Sequence, residues 1–399
     1  MHQARTSSRR PVVSVLLVAL PISLVAAGIL ALLGCGAQSS QGVIREVVWL
    51  GGTSKLAVLM VADEGDGLPE SSVWLVDVER RDARELFAAD GRMSQITCCG
   101  EDNELFLAYI SPSRARGTAA EAVVSDQDLG VLTRGGALDL LGLPDGNHYP
   151  ACSPASTELA FLHLTAFPPE DDTRAQEAMA YGIWIVDLQS RGLRQLSRPQ
   201  GDGADGPPRW SPDGQLIAFT RSKPASLPAT GPSRDLWLVS RDGAAERKLT
   251  STDHLQALPI EWTLDGRSVL FMRELWTGKP SWSQTERSLW SVEVTSGSAR
   301  QLLSWDDLHR PELRSDVALS PGGVRVAVKS SPGSGDQSGV WIIDVGSGAS
   351  RQIRQSGRIG SLAWSSDSTK LAYAKDGLEL WIADINEEVS AELLWRVPR

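Results

Sequence analysis

The chain has 399 residues, 42% hydrophobic and 22% charged, which is enough apolar material for a sizeable core. Its formal net charge of −10 excludes sequence-independent nucleic-acid binding, because that mode needs a basic footprint to release phosphate counterions. The length suits two or three ordinary domains or one extended all-β assembly. The positions of the 14 Trp favour the second.

The N-terminus carries Arg5, Arg9 and Arg10, then an apolar stretch from Pro11 to Leu33, then Leu32-Leu33-Gly34-Cys35. This order resembles a bacterial lipoprotein signal, in which the Cys after the apolar run is lipidated. The resemblance implies residues 1–34 as signal peptide, Cys35 as the lipidated residue opening a short linker over 35–42, and a body over 43–398. The apolar run is also long enough to span a bilayer uncleaved, so an ectodomain held by an N-terminal transmembrane helix is the other reading. Either places the body outside the cytoplasm, anchored to the membrane. The remaining cysteines, Cys98, Cys99 and Cys152, are odd in number, so they cannot all pair; one bridge is possible, and buried thiols are the default expectation.

After the anchor the chain repeats itself seven times. The clearest copy is Trp210-Ser211-Pro212-Asp213-Gly214, closing with the apolar triplet Ile217-Ala218-Phe219. The same frame starts at Trp262 and Trp364, and weaker copies start at Trp49, Cys98, Cys152 and Leu319. A second anchor follows as Trp74-Leu75-Val76-Asp77, Trp184-Ile185-Val186-Asp187, Trp341-Ile342-Ile343-Asp344 and Trp381-Ile382-Ala383-Asp384, with looser copies at Trp237 and Trp290 and a degenerate one at Leu129–Leu132. Segments such as Arg194-Gln195-Leu196 and Arg247-Lys248-Leu249 close each unit. Ten of the 14 Trp thus sit on repeat anchors.

Each unit predicts four short strands. The segment before the first anchor alternates apolar and polar residues, Asp-Gly at 213–214 and 265–266 is a hairpin turn, and the triplet, the Trp-x-x-Asp piece and the Arg-x-Leu piece are strands two to four. A lone four-stranded sheet exposes two apolar faces, and radial stacking covers both, with Trp filling the space between sheets. The prediction is an all-β, seven-bladed β-propeller of four-stranded antiparallel blades. Each blade is complete in sequence order, so the ring should close by packing between blades one and seven.

These frames resemble the TolB-type, or PD40, subgroup of WD40-like propeller repeats, over about residues 43 to 397. The resemblance implies the fold and little about function. There are seven repeats here, no preceding α/β domain is evident, and a role in the Tol system is not carried over.

By propeller analogy the connections between second and third strands share one face of the disc. They are long at 111–127, 165–181, 221–234 and 273–287, and long loops on a rigid scaffold gather binding residues. In the fifth unit Arg273, Trp276, Lys279 and Trp282 are the candidates for gripping a peptide or stacking on a sugar ring. Glu170, Asp171, Asp172 and Glu177 read as a solvated acidic rim. His148, His254 and His309 precede inner strands near the channel mouth, where imidazoles can titrate or bind metal. His163 reads as structural, and Arg209, Glu261 and Asp316 as solvated rim or inter-blade pairs. No Gly-x-Ser-x-Gly elbow, His-Glu-x-x-His pair, phosphate loop or Cys-x-x-Cys knuckle is found, and the sequence ends at Arg399 just after the last repeat. The expectation is a monomeric, non-catalytic binding or scaffold protein for a protein or other cell-envelope macromolecule, with no cofactor or metal. The alternative is a propeller lyase or hydrolase using the channel-mouth histidines.

Overall fold

The computed structural model describes residues 42–62, 70–99, 104–110, 127–144, 146–166, 180–199, 203–222, 234–251, 255–276, 285–304, 317–329, 339–386 and 390–398. The N-terminal segment with Cys35 lies outside them, as do His254, His309, Asp316, Lys279, Trp282 and the acidic group at 170–177.

Among the described residues, twenty-eight strands form seven four-stranded antiparallel sheets. Blade one is β1 (Val43–Trp49), β2 (Lys55–Ala62), β3 (Glu70–Asp77) and β4 (Asp82–Asp90); blade two is β5 (Arg92–Cys99), β6 (Glu104–Ile110), β7 (Asp128–Leu132) and β8 (Leu138–Leu140). Blade three is β9 (Asn147–Cys152), β10 (Glu158–Ala166), β11 (Ala180–Asp187) and β12 (Leu193–Gln195); blade four is β13 (Arg209–Trp210), β14 (Leu216–Ser222), β15 (Arg234–Ser240) and β16 (Glu246–Lys248). Blade five is β17 (Leu255–Trp262), β18 (Ser268–Trp276), β19 (Thr285–Glu293) and β20 (Ala299–Ser304); blade six is β21 (Val317–Leu319), β22 (Arg325–Lys329), β23 (Gly339–Asp344) and β24 (Ser350–Arg354). Blade seven is β25 (Ile359–Trp364), β26 (Lys370–Lys375), β27 (Glu379–Asp384) and β28 (Ala391–Arg396).

The repeat frame folds for local reasons. In blade four Ser211 donates its hydroxyl to Asp213 Oδ1 at 2.5 Å and accepts the Leu216 N–H at 2.9 Å, while Asp213 Oδ1 takes the Gln215 N–H at 3.0 Å. Gly214 sits at φ 68°, a conformation that glycine adopts without strain. Thr263 with Asp265, and Ser365 with Asp367, repeat this staple in blades five and seven. Where the third strand closes in Asp, that residue clamps the next turn: Asp187 Oδ1 accepts the N–H groups of Gln189 and Ser190 at 3.1 and 2.7 Å. These hydrogen bonds hold its carboxyl below the usual range.

Second strands such as β2, β14 and β22 are buried on both faces, hence their continuous apolar runs. The buried side chains form seven clusters, each spanning two neighbouring blades. Closure between blades seven and one joins Ile44, Val47, Leu56 and Val58 to Ala372, Leu380 and Ile382, with the Trp74 and Trp395 rings 5.3 Å apart. No described sheet mixes strands from the two termini, and the junction adds a backbone bond from Ile44 N–H to the Gly377 carbonyl at 2.7 Å.

Inner-strand tryptophans tie the ring together by one rule: the anchor of a blade donates its indole N–H to the carbonyl one residue before the anchor of the preceding blade. Trp49 reaches Ala363 O at 2.9 Å, Trp210 reaches Ala151 O at 3.0 Å, Trp262 reaches Arg209 O at 3.1 Å and Trp364 reaches Ala318 O at 3.1 Å. Blades two, three and six carry Cys98, Cys152 and Leu319 instead. The expectation of buried thiols is corrected here: Cys99 and Cys152 form a disulfide between the inner strands of blades two and three, and Cys98 stands outside it. Burial raises the Cys98 thiol pKa.

Candidate active site in the central channel

The seven inner strands pack side by side around the propeller axis, so residues that leave their plane face the central channel. Pairing of β1, β5, β9, β17 and β25 with their neighbours is broken by β-bulges near the upper end: at Ile44/Glu46, at Ser94/Thr97, opposite Ala160/Leu162, at Ala257/Ile260 and at Ile359/Leu362. A bulge frees backbone groups from the ladder and re-aims side chains. Gln95 and Tyr149, both on bulges, take left-handed φ values of 55° and 51°. Such strain in non-glycine residues gathers at functional sites.

The freed N–H groups are satisfied across blades by residues three positions before the anchors. Ser361 Oγ accepts the Val47 N–H at 3.1 Å, Glu46 Oε2 accepts the Ile96 N–H at 2.9 Å, and Gln95 Oε1 accepts the Tyr149 N–H at 2.8 Å. The chain of clamps runs from blade seven through blade three and places a carboxylate in the ring at Glu46.

Glu46 keeps part of its surface accessible, yet protein surrounds it, the situation of a group opening onto an enclosed lumen rather than the outer surface. Desolvation raises its pKa to about 7, against the lowering effects of the Ile96 N–H, Arg209 and the Gln95 N–H. Arg209 belongs to blade four, so this interaction crosses the channel from blade one. Tyr149 is raised by burial and by the charge of Glu46, partly offset by Arg234. Tyr181 is pushed up to about 12 by burial and by Tyr149. Glu261 of blade five is raised by burial and lowered by Arg209 and the Trp262 N–H. The channel therefore holds two carboxyls displaced toward the protonated form, a phenol and a guanidinium, and Glu46 titrates close to neutral pH.

Arg209 and Glu261, read from the sequence as solvated rim or inter-blade pairs, couple to each other across blades four and five, and Arg209 also couples to Glu46. Sequence reasoning passed over Glu46, Gln95 and Tyr149. Their shared offset, three residues before Trp49, Cys98 and Cys152, is the signal that identifies them.

Of the channel-mouth histidines, His148 is 7% exposed on β9 and meets the Tyr181 ring edge-on at 5.6 Å; His254 and His309 lie outside the described residues. His163 donates its Nδ1–H to Asn147 Oδ1 at 2.9 Å and stands against Trp184, and burial lowers its pKa. Arg273 stacks over Trp290 at 4.9 Å, and Trp276 ends β18 paired with Thr285. Among the described residues no group of three His, Cys, Asp or Glu is placed to hold a metal ion.

No family model matches the chain. It is 26% identical over 130 residues to the uncharacterized peptidase YuxL of Bacillus subtilis, covering 33% of this chain and 18% of that protein. It is 36% identical over 77 residues to the Tol-Pal system protein TolB of Anaeromyxobacter dehalogenans, covering 19% of this chain and 15% of that protein. The chain thus spans less than a fifth of either relative. A solved oligogalacturonate lyase from Vibrio parahaemolyticus superposes with a TM-score of 0.63 at 12% identity, covering 88% of this chain and 92% of that one. Identity at that level establishes the shared fold. These likenesses overturn the expectation of a non-catalytic scaffold: one curated relative is named a peptidase and a solved propeller of this shape is a lyase, so the architecture gives no ground for a passive role. The chain is a TolB-like, seven-bladed β-propeller.

Proposed function

We propose that this protein is a propeller enzyme, of the lyase or hydrolase class, that performs acid–base chemistry in its central channel. The observation that carries the reading is the Glu46 carboxyl, shifted to about 7 inside the lumen. A proton-transfer group works best when its pKa lies near the working pH, because it then exists in both forms and exchanges protons without a large driving-force penalty. Glu46 takes or returns the proton, and Tyr149 is the neighbouring group that can share it. Arg209 offers a fixed positive charge to an anionic substrate group or a developing oxyanion, and Glu261 keeps that guanidinium oriented. Known propellers of this shape that are enzymes support the reading as analogy alone.

Glu46→Gln is the discriminating variant. Gln95 shows that an amide oxygen at this offset serves as the inter-blade clamp, so the substitution keeps the hydrogen bond and removes the titrating group. Purified protein would be assayed on a panel of acidic polysaccharides and peptides, reading ultraviolet absorbance of a new conjugated double bond for elimination and new reducing or amine ends for hydrolysis. Turnover that falls about 100-fold or more in Glu46→Gln, with KM little changed, is the expected result. Equal turnover in both proteins would remove Glu46 from the chemistry.

We further infer that the propeller works outside the cytoplasm, lipid-anchored at Cys35. The apolar run ending in Gly34-Cys35 and the Cys99–Cys152 disulfide support this, since disulfides persist in oxidising compartments. Mass spectrometry of the N-terminal peptide from membranes tests it: an acylated Cys35 is expected, and an intact N-terminus preceding it would contradict cleavage.

A further inference from the structure

Outside the channel, one repeated element breaks its own pattern. Eleven residues after the anchor, the second strand places a cation or imidazole over the ring of the third-strand Trp. Arg221 lies 4.6 Å from the Trp237 centroid, Arg273 lies 4.9 Å from Trp290, Lys375 lies 5.8 Å from Trp381, and His163 meets Trp184 at 5.1 Å. In blade four the guanidinium is neutralised twice. Asp205 receives Arg221 Nε at 2.5 Å and Nη2 at 3.0 Å, side-on, and Glu246 receives Nη2 at 2.5 Å. In blade seven Lys375 faces Glu379 at 3.2 Å and Asp376 at 3.5 Å.

Blade five has lost both counter-ions of blade four. The register sets Gln256 opposite Arg273 where Asp205 stands opposite Arg221. Ala299 pairs with Val292 where Glu246 pairs with Val239, each valine two residues after its Trp. Arg273 Nε is enclosed and has no hydrogen-bond partner among the described residues, an expensive state for a charged donor. Truncation at Ala299 leaves space: a cavity of about 440 Å³ lies between β16 and β18–β20, with Arg273, Trp290 and Ala299 in its wall. Among the described residues no carboxylate lines it, although the chain as a whole carries a net charge of −10. Arg247 and Lys248, the latter paired with Asp235, add positive charge, and Ser251 and Ser296 add hydroxyls.

We propose that this cleft between blades four and five binds a small hydroxylated carboxylate, whose carboxyl group takes the side-on place on Arg273 that Asp205 takes on Arg221. The cavity is larger than a bare ion needs, and its hydroxyls match a polyhydroxy body. The site is separate from the proposed reaction centre and stands whether or not Glu46 is catalytic.

The test is isothermal titration of the protein with sodium D-gluconate, with sorbitol as the neutral isologue and inorganic phosphate as a competing anion, at fixed ionic strength. Saturable gluconate binding without sorbitol binding is expected. Arg273→Gln should weaken it at least about tenfold, the loss of one charge-assisted contact. Ala299→Glu gives blade five the internal counter-ion of blade four, so it should abolish binding while leaving the melting temperature equal or higher. The proposal fails if gluconate does not bind at tens of millimolar, if binding survives unchanged in folded Arg273→Gln and Ala299→Glu, or if phosphate binds as well as gluconate.

Discussion

Cys99 on β5 and Cys152 on β9, with Cα atoms 5.6 Å apart, are bonded at a junction where the anchor tryptophan is missing. Elsewhere the anchor indole crosses to the preceding blade, as Trp210 does to Ala151. Cys152 holds the anchor position of blade three, and its covalent bond replaces that hydrogen bond. Reduction should therefore loosen the junction of blades two and three first. Cys152→Ala is expected to cost about 2–4 kcal/mol by denaturant unfolding, and a reductant should lower the melting temperature of the wild type but not of the variant.

Arg221 joins Asp205, whose side chain is fully enclosed, to Glu246 beneath Trp237. Burial raises the Asp205 carboxyl despite its bonds to Arg221 and Ser197, so the pair depends on staying intact. Arg221→Met should destabilise by about 3–5 kcal/mol, because a buried carboxylate loses its partner. Adding Asp205→Asn should recover much of that loss, and a urea double-mutant cycle measures the coupling.

Ring closure between blades seven and one uses the indole of Trp49 on Ala363 O. Trp49→Phe keeps an aromatic ring and removes the donor, leaving that carbonyl without it. A loss of about 1–3 kcal/mol is expected, seen as a lower urea midpoint with an unchanged slope.

Glu46 also sets a pH dependence of stability. Its folded-state pKa, about 7, lies above the ordinary 4.5, so between these values the folded state binds more protons than the unfolded state. Stability then falls as pH rises from about 4.5 through about 7 and levels off above, a penalty of at most on the order of 3 kcal/mol. Glu46→Gln should remove the slope and be more stable than wild type at pH 8, while matching it near pH 4. Melting temperatures across that range check the sign.

The repeats made the fold legible, because every blade must bury the same two faces and so keeps an apolar triplet at a fixed offset, with Trp anchors and Asp-Gly turns marking the clearest copies. The channel site was hidden for the converse reason. Glu46, Gln95 and Tyr149 occupy one offset but share no residue type, and their aim depends on bulges that strand periodicity does not register. The coupling of Glu46 to Arg209 joins blades one and four, a proximity created only by ring closure. The histidines were visible as titratable groups near inner strands, yet His148 turns out to be packed against Tyr181.

Whether the Glu46 carboxyl is held poised in the channel is read from ¹³C NMR titration of the side-chain carboxyls, with Glu46→Gln assigning the resonance. A Glu46 midpoint near pH 7 is expected. A midpoint at the ordinary glutamate value of 4.5 would contradict it and take the proton-transfer role away from this residue.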